Sequence, residues 1–449
     1  MEDKTMALDG KRTLVPKRRF PEFRDAKEWT KKPMGEVYSY KGNNSLSRDK
    51  LNYASGSIKN IHYGDIHTKF STLFDITKET VPYVNASESQ KPFKAENYCI
   101  EGDMVFADAS EDLDDIGKSI EIVNLNGQRV VSGLHTILAR QTVARLVVGF
   151  AGYLFKSPTI RKQIRKESQG AKVLGLSGGR LAQITIPFPS DKAEQRKIAD
   201  CLASIDDLIT LEVRKLDSLK KHEKGLMQQL FPAVGQTLPE LRFPEFRGES
   251  EWDEKKFGQL CHFVRGPFGG ALKKDIFVKD GYAVYEQSHA IYSDFNSFRY
   301  FIAEEKYKEL KRFSVRPGDI IMSCSGTMGK FSVIPERAKD GVINQALLKL
   351  TVNKEYHLGF VKLTLELPLN QEKLLSQSAG GAIKNVVGVS EMKEIELCLP
   401  SYEEQQKIAM CLSNLDGLIT AQTQKLAALR SLKKGLMQQL FPVLSEMGV

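Results

Sequence analysis

Two stretches of the chain carry apolar residues at alternating steps of four and three. In residues 195–232 these are Ile198, Leu202, Ile205, Ile209, Leu216, Leu219, Leu226 and Leu230, with Glu212 and Glu223 as polar interruptions. In residues 405–442 they are Ile408, Leu412, Leu415, Ile419, Leu426, Leu429, Leu436 and Leu440, interrupted by Gln422 and Lys433. A 4-3 spacing puts one apolar seam along a helix, and that seam needs a partner. The nearest partner is the other copy. The two stretches align without a gap at an offset of 210 (405 − 195), and more than half of their positions are identical. From residue 198 to residue 230 a helix runs roughly 50 Å at 1.5 Å per residue, too long to lie wholly on a small domain. Phe231-Pro232 and Phe441-Pro442 end both helices, since proline cannot continue one.

A second repeat opens each half. Arg19-Phe20-Pro21-Glu22-Phe23-Arg24 with Trp29 returns as Arg242-Phe243-Pro244-Glu245-Phe246-Arg247 with Trp252. Met34-Gly35-Glu36-Val37 matches Phe257-Gly258-Gln259-Leu260. Each half therefore starts on one frame and ends on one long helix, with an insert between.

The inserts read as mixed α/β. In the first, residues 62–70, 99–108, 119–125 and 182–188 are β-rich runs bounded by glycine and polar residues. Residues 146–155 read as a buried helix and 157–168 as a basic helix behind it. In the second, residues 316–324, 330–336 and 346–352 read as strands, and 360–367 and 369–376 as helical. Glu101-Gly102-Asp103 and Pro317-Gly318-Asp319 look like the same glycine turn feeding a strand. Otherwise the inserts do not resemble each other. Matched frames around divergent inserts suit two modules on one scaffold, each facing its own target.

Composition changes this picture in one respect. The net charge of +9 favours an anionic partner, nucleic acid before membrane. The six cysteines form no CxxC pair, and no run of about 18 apolar residues is present, which predicts a reduced, cytoplasmic protein. The polar start lacks the apolar core of a signal peptide.

Enzymatic motifs are missing. Gly326-Thr327-Met328-Gly329-Lys330 has the wrong spacing for a phosphate-binding loop, and there is no Pro-Pro dipeptide of the kind used in base amino-methylation. The seven histidines have no ligand spacing.

The repeated frames, the Glu-Gln-[Arg/Gln]-Lys-Ile-Ala openings at Glu194 and Glu404, the Lys-Gly-Leu-Met-Gln-Gln-Leu-Phe-Pro endings and Tyr63-Gly64-Asp65-Ile66 resemble the specificity subunit of type I restriction-modification systems. The first insert departs slightly, with one more residue between Ser190 and Glu194 than between Ser401 and Glu404. The resemblance implies an α+β protein in which two mixed α/β target recognition domains are joined by two long antiparallel coiled-coil helices. Its implied parts are a basic N-terminal tail (1–18), a first target domain (19–189), a first spacer helix (190–232), a linker (233–241), a second target domain (242–400) and a second spacer helix (401–442). It implies a non-enzymatic reader of double-stranded DNA, with each domain taking half of a split, asymmetric site. The helices would set the gap and dock two methylation subunits, which restriction subunits join. No cofactor belongs to this chain; methyl donor, ATP and magnesium belong to those partners. A rod of roughly 50 Å spans more than one duplex turn of about 34 Å. The rival reading is a stand-alone coiled-coil DNA-binding scaffold or regulator.

Bases and phosphates are contacted by cationic and amide side chains. The candidates are Lys59, Tyr63, Lys69 and Arg180 in the first insert, and Arg265, Lys273, Lys274, His289, Lys330 and Lys384 in the second. Leu226-Met227 and Leu436-Met437 widen the apolar stripe beyond a two-helix seam, which marks them for partner docking.

Overall fold

A computed structural model describes residues 14–88, 93–268, 270–376 and 388–444. The chain forms two units, one from the residues up to 214 together with those from 424, the other from residues 215–423. The long helices Lys192–Leu230 and Tyr402–Leu440 are 39 residues each. Each begins in one unit and ends in the other.

In the first unit, Thr30–Pro33 pairs antiparallel with Thr185–Phe188, so both ends of the insert leave from one two-stranded ribbon. A five-stranded sheet follows the order Tyr38–Lys41, Thr136–Gln141, Met104–Ala107, Ser119–Asn124, Leu73–Asp75. A four-stranded sheet follows the order Val130–Ser132, Lys59–Ile61, Tyr83–Val84, Leu51–Asn52, and its first pair is parallel.

The second unit repeats this plan. Asp253–Lys256 pairs with Glu396–Leu399. One sheet runs Cys261–Arg265, Leu347–Val352, Ile320–Ser323, Phe331–Val333. The other runs Gly341–Ile343, Tyr282–Tyr285, Phe301–Ile302, Phe277–Val278, again with a parallel first pair. The inserts thus share a topology that their side chains conceal.

Central strands are buried on both faces, and alternate residues go to different cores, as a period of two requires. Met104 and Phe106 join the cluster around Trp29, Phe150 and Phe441, while Val105 and Ala107 join the one around Phe74 and Ile120. Ile320 and Met322 likewise face the Trp252 cluster, and Ile321 the opposite one. The expected glycine turn is the same in both inserts. Gly102 and Gly318 take φ of 88° and 85°, and Asp103 and Asp319 accept from the backbone N–H groups of Ile100 and Arg316.

One expected strand is a helix. Residues 62–70 contain Tyr63–Thr68, whose N-cap His62 accepts from the Gly64 N–H at 3.1 Å. That cap and the buried Asp65 turn the chain where an extended run was read. The stretch expected to be a basic N-terminal tail is docked from Leu14 onward. The Trp29 N–H donates to the Leu14 carbonyl and the Arg18 N–H to that of Gln439. Residues 1–13 of that stretch lie outside the described residues.

The opening motif is a clamp on the start of the long helix. Arg19 makes a bidentate pair with Glu194 at 2.7 and 2.6 Å and caps the carbonyls of Ala26 and Lys27. Arg242 does the same to Glu404 at 2.9 and 2.7 Å and to the carbonyls of Glu249 and Ser250. Both carboxylates are 1% exposed. The next residue, glutamine in both copies, ties the helix start to the insert. Gln195 accepts from the Val147 N–H and donates to Pro189, and Gln405 accepts from the His357 N–H and donates to Pro400.

The seam behaves as its spacing predicts. Its ten positions in each helix, polar interruptions included, are buried or half-buried. In the first unit the start of one helix runs antiparallel to the end of the other, with Glu212 bonded to Lys425 and Asp206 to Lys433. In the second, Glu223 faces Asp416. The Phe-Pro endings are anchored by the frame tryptophans. Phe441 packs edge-on to Trp29 with ring centroids 6.1 Å apart, and Phe231 packs on Trp252 at the same distance.

Candidate nucleic-acid interface

Both units place a six-residue helix directly after the central strand of the four-stranded sheet: Tyr63–Thr68 in the first and Gln287–Tyr292 in the second. In the first, Asp65 on that helix is buried and gathers two cations. Arg48 reaches it with both Nη atoms at 2.8 and 3.0 Å, and Lys69 Nζ stands 3.0 Å away. Burial alone would raise the Asp65 pKa. The hydrogen bonds from Arg48 and Lys69 outweigh it and hold the carboxyl below its ordinary value. Both cations also donate to the Tyr53 hydroxyl. Arg48 and Lys69 are exposed, so two positive heads are held at the surface by one buried carboxylate. The Tyr63 ring lies beside them, against the rings of His62 and His135 at 4.7 and 5.3 Å. Burial, then the charge of Arg48, holds the His62 ring below its usual pKa, which suits its role as a neutral acceptor. Pre-set cations beside an aromatic face match what phosphates and bases accept.

In the second unit the matching helix borders a cavity of about 580 Å³ lined by Glu286, Gln287, Ser288, His289, Ser297, Phe298, Arg299 and Asn344. Gln287 donates to the Thr327 carbonyl at 3.3 Å, on the hairpin that ends in Lys330. Arg299 is exposed, its guanidinium 4.8 Å from the Tyr300 ring centre. Gln, Asn and Arg are the residue types that read base edges with paired hydrogen bonds.

The sequence candidates divide accordingly. Tyr63 and Lys69 come together at the first helix, and Lys59, half-buried over the Tyr83 ring at 5.1 Å, sits on the strand leading into it. Lys273, Lys274 and Lys330 are exposed in the second unit. Lys384 lies outside the described residues. Arg180 is spent on structure, since its Nη1 donates to the Glu167 carbonyl at 2.8 Å. Arg265 turns inward, with Nη1 enclosed and unpartnered.

His289 corrects an expectation. It is 3% exposed, both ring nitrogens are bonded within the chain, and it stacks on Phe298 at 4.8 Å. Leu226, Met227 and Leu436 are half-buried and Met437 is buried. They pack on the cores around Trp252 and Trp29, because each helix end must dock there. Arg48, Gln287, Arg299 and Asn344, which the fold brings to these two helices, have no local signal in the sequence.

Among the described residues, no group of three or more His, Cys, Asp or Glu could hold a metal ion, and no helix is long and apolar enough to cross a membrane.

The chain matches the family described as type I restriction modification DNA specificity domain twice, over residues 26–221 and 249–431. It is 24% identical over 409 residues to a putative type I restriction enzyme MjaX specificity subunit of Methanocaldococcus jannaschii, covering 88% of this chain and 87% of that one. It is 22% identical over 310 residues to the type I restriction enzyme EcoBI specificity subunit of Escherichia coli, covering 63% of each. Among solved structures it resembles the type I restriction-modification S subunit from M. genitalium, with a TM-score of 0.59, 16% identity and coverage of 96% and 100%. It also resembles a chain from a study of complex assembly in the type I system, with a TM-score of 0.52, 17% identity and coverage of 92% and 97%.

Proposed function

The chain belongs to the type I restriction-modification DNA specificity family, and from that premise we propose that each of its units reads one half of a bipartite, asymmetric DNA site. The observation that carries this reading is the matched pair of helices Tyr63–Thr68 and Gln287–Tyr292. Topology puts them in the same place, yet one presents Tyr63, Arg48 and Lys69 and the other Gln287, Arg299 and Asn344. The exposed Lys273, Lys274 and Lys330, with the half-buried Lys59, hold phosphates, and the amide and guanidinium groups read bases. The chain itself performs no reaction and works in the cytoplasm, where DNA is to be had.

The paired helices set the gap and dock methylation subunits, one on each half. The surface we assign to this docking is centred on Leu208 and Leu418. They occupy the same repeat position (418 − 208 = 210) and are 47% and 57% exposed. Replacing both with Asp should abolish recruitment of methylation subunits while leaving DNA binding by the chain intact.

The deciding experiment exchanges residues 257–400 for the insert of another family member and maps methylated bases in cells carrying the full system. One half of the recognised sequence should change, while the other half and the gap stay. A change in both halves sinks the modular reading. Purification of the chain alone from cells carrying the full system would favour a stand-alone regulator instead.

A further inference from the structure

In the first unit a cavity of about 290 Å³ lies where helix Phe150–Lys156 and proline Pro158 meet the last turns of helix Tyr402–Leu440. Four cations line it: Lys156, Arg430, Lys433 and Lys434. Its apolar wall is formed by Tyr153, Pro158 and Met437. Among the described residues only Lys433 of the four is paired with a carboxylate, that of Asp206 at 2.5 Å. The Lys156 Nζ donates to the Thr72 hydroxyl at 2.8 Å.

The second unit shows that the fold does not need these charges. At the positions offset by 210, Glu366 stands for Lys156 (366 − 156) and Glu223 for Lys433 (433 − 223), while Lys220 and Lys224 match Arg430 and Lys434. The same backbone places two carboxylates where the first unit has two ammonium groups. Asp206 answers one of the four charges, and the other three, crowded without a carboxylate partner among the described residues, are relieved when something anionic shares the space.

We propose that this cavity is a binding site for a small phosphate-bearing molecule, a nucleoside monophosphate in class. Its phosphate meets Lys156, Arg430 and Lys434, and its ring lies against Pro158 and Met437, beside the Tyr153 ring that Lys433 covers. The volume is at the lower end of small-molecule sites, which suits one ring system and one phosphate. Burial, then the charge of Lys433, pushes the Lys156 ammonium down to about 8. An anion beside it lifts that value, so binding near pH 8 takes up part of a proton.

Calorimetry on the full chain at low salt tests this, with AMP and inorganic pyrophosphate as probes. AMP should bind one equivalent, and at pH 8 its heat should depend on the buffer's ionisation enthalpy. Lys156→Glu with Lys433→Glu imports the residues the second unit already carries, and should weaken AMP at least tenfold. Arg430→Gln, at an exposed position, should weaken it severalfold without touching the fold. Glu366→Lys with Glu223→Lys should create a second equivalent. The proposal is overturned by absence of AMP binding at millimolar concentration, or by affinity unchanged in both weakening variants. Pyrophosphate binding without AMP binding overturns the nucleotide class.

Discussion

In one unit Asp206 meets the ammonium of Lys433; at the matched place in the other, Asp416 meets the carboxyl of Glu223. The helices at both junctions are cut from one repeated sequence, and each junction buries its apolar seam. Opposite signs at one position in the same frame show that packing, not that polar pair, holds the junction together. The reverse holds a few residues away. Arg19–Glu194 and Arg242–Glu404 keep the same signs and the same bonding atoms, and both carboxylates are buried. Within one repeat, exposure separates the pairs free to diverge from those that are not.

The sharpest way to break this comparison is to remove the arginine of either clamp. Arg19→Ala and Arg242→Ala should each cost about 3–5 kcal/mol, the usual price of an uncompensated buried carboxylate. Chemical unfolding read by hydrogen exchange within each unit checks it. A loss confined to one of the two variants would mean the clamps are not equivalent.

The tryptophans sharpen it further. Trp29 Nε1 donates to Glu194 at 3.2 Å, whereas Trp252 Nε1 is enclosed without a partner. Trp29→Phe should therefore be the more damaging substitution by about 1.5–3 kcal/mol, the worth of a hydrogen bond to a charged group. Thermal unfolding of the pair of variants measures the difference.

The smallest effect is in pH. Burial and the neighbouring Asp416 push Glu223 up to about 7. A carboxyl with a raised folded-state pKa contributes stability that is present below its ordinary value of 4.5 and is lost as pH rises through 7. Amide exchange at the end of helix Lys192–Leu230 should thus speed up modestly between pH 5 and 8, beyond the intrinsic rate. Glu223→Lys, which copies Lys433, should remove that trend.

How much of this was legible in the sequence follows from distance along the chain. The heptad is local, and its positions were read one by one, polar interruptions included. The clamp was visible only as a repeated motif, because Arg19 and Glu194 are 175 residues apart. The common topology of the inserts was hidden by strands as short as Leu51–Asn52 and Phe277–Val278, too brief to show a period. At the candidate interface, Lys69 was legible as an exposed cation. Arg48 was not, since only the fold brings it to Asp65. His289 was misread because its stacking on Phe298 cannot be inferred from residue type.

The division of the chain into units also sets an order of events during synthesis. The second unit is one continuous stretch, residues 215–423, whereas the first needs residues on both sides of it. A ribosome adding 5–20 residues per second takes roughly ten to forty seconds to travel from residue 214 to residue 424. For that interval the face of Trp29 and Phe150 waits without Phe441, and the start of the first long helix waits without Lys425 and Lys433. The half of the molecule made first is therefore the last to close, and its open apolar seat is what a chaperone would meet on the nascent chain.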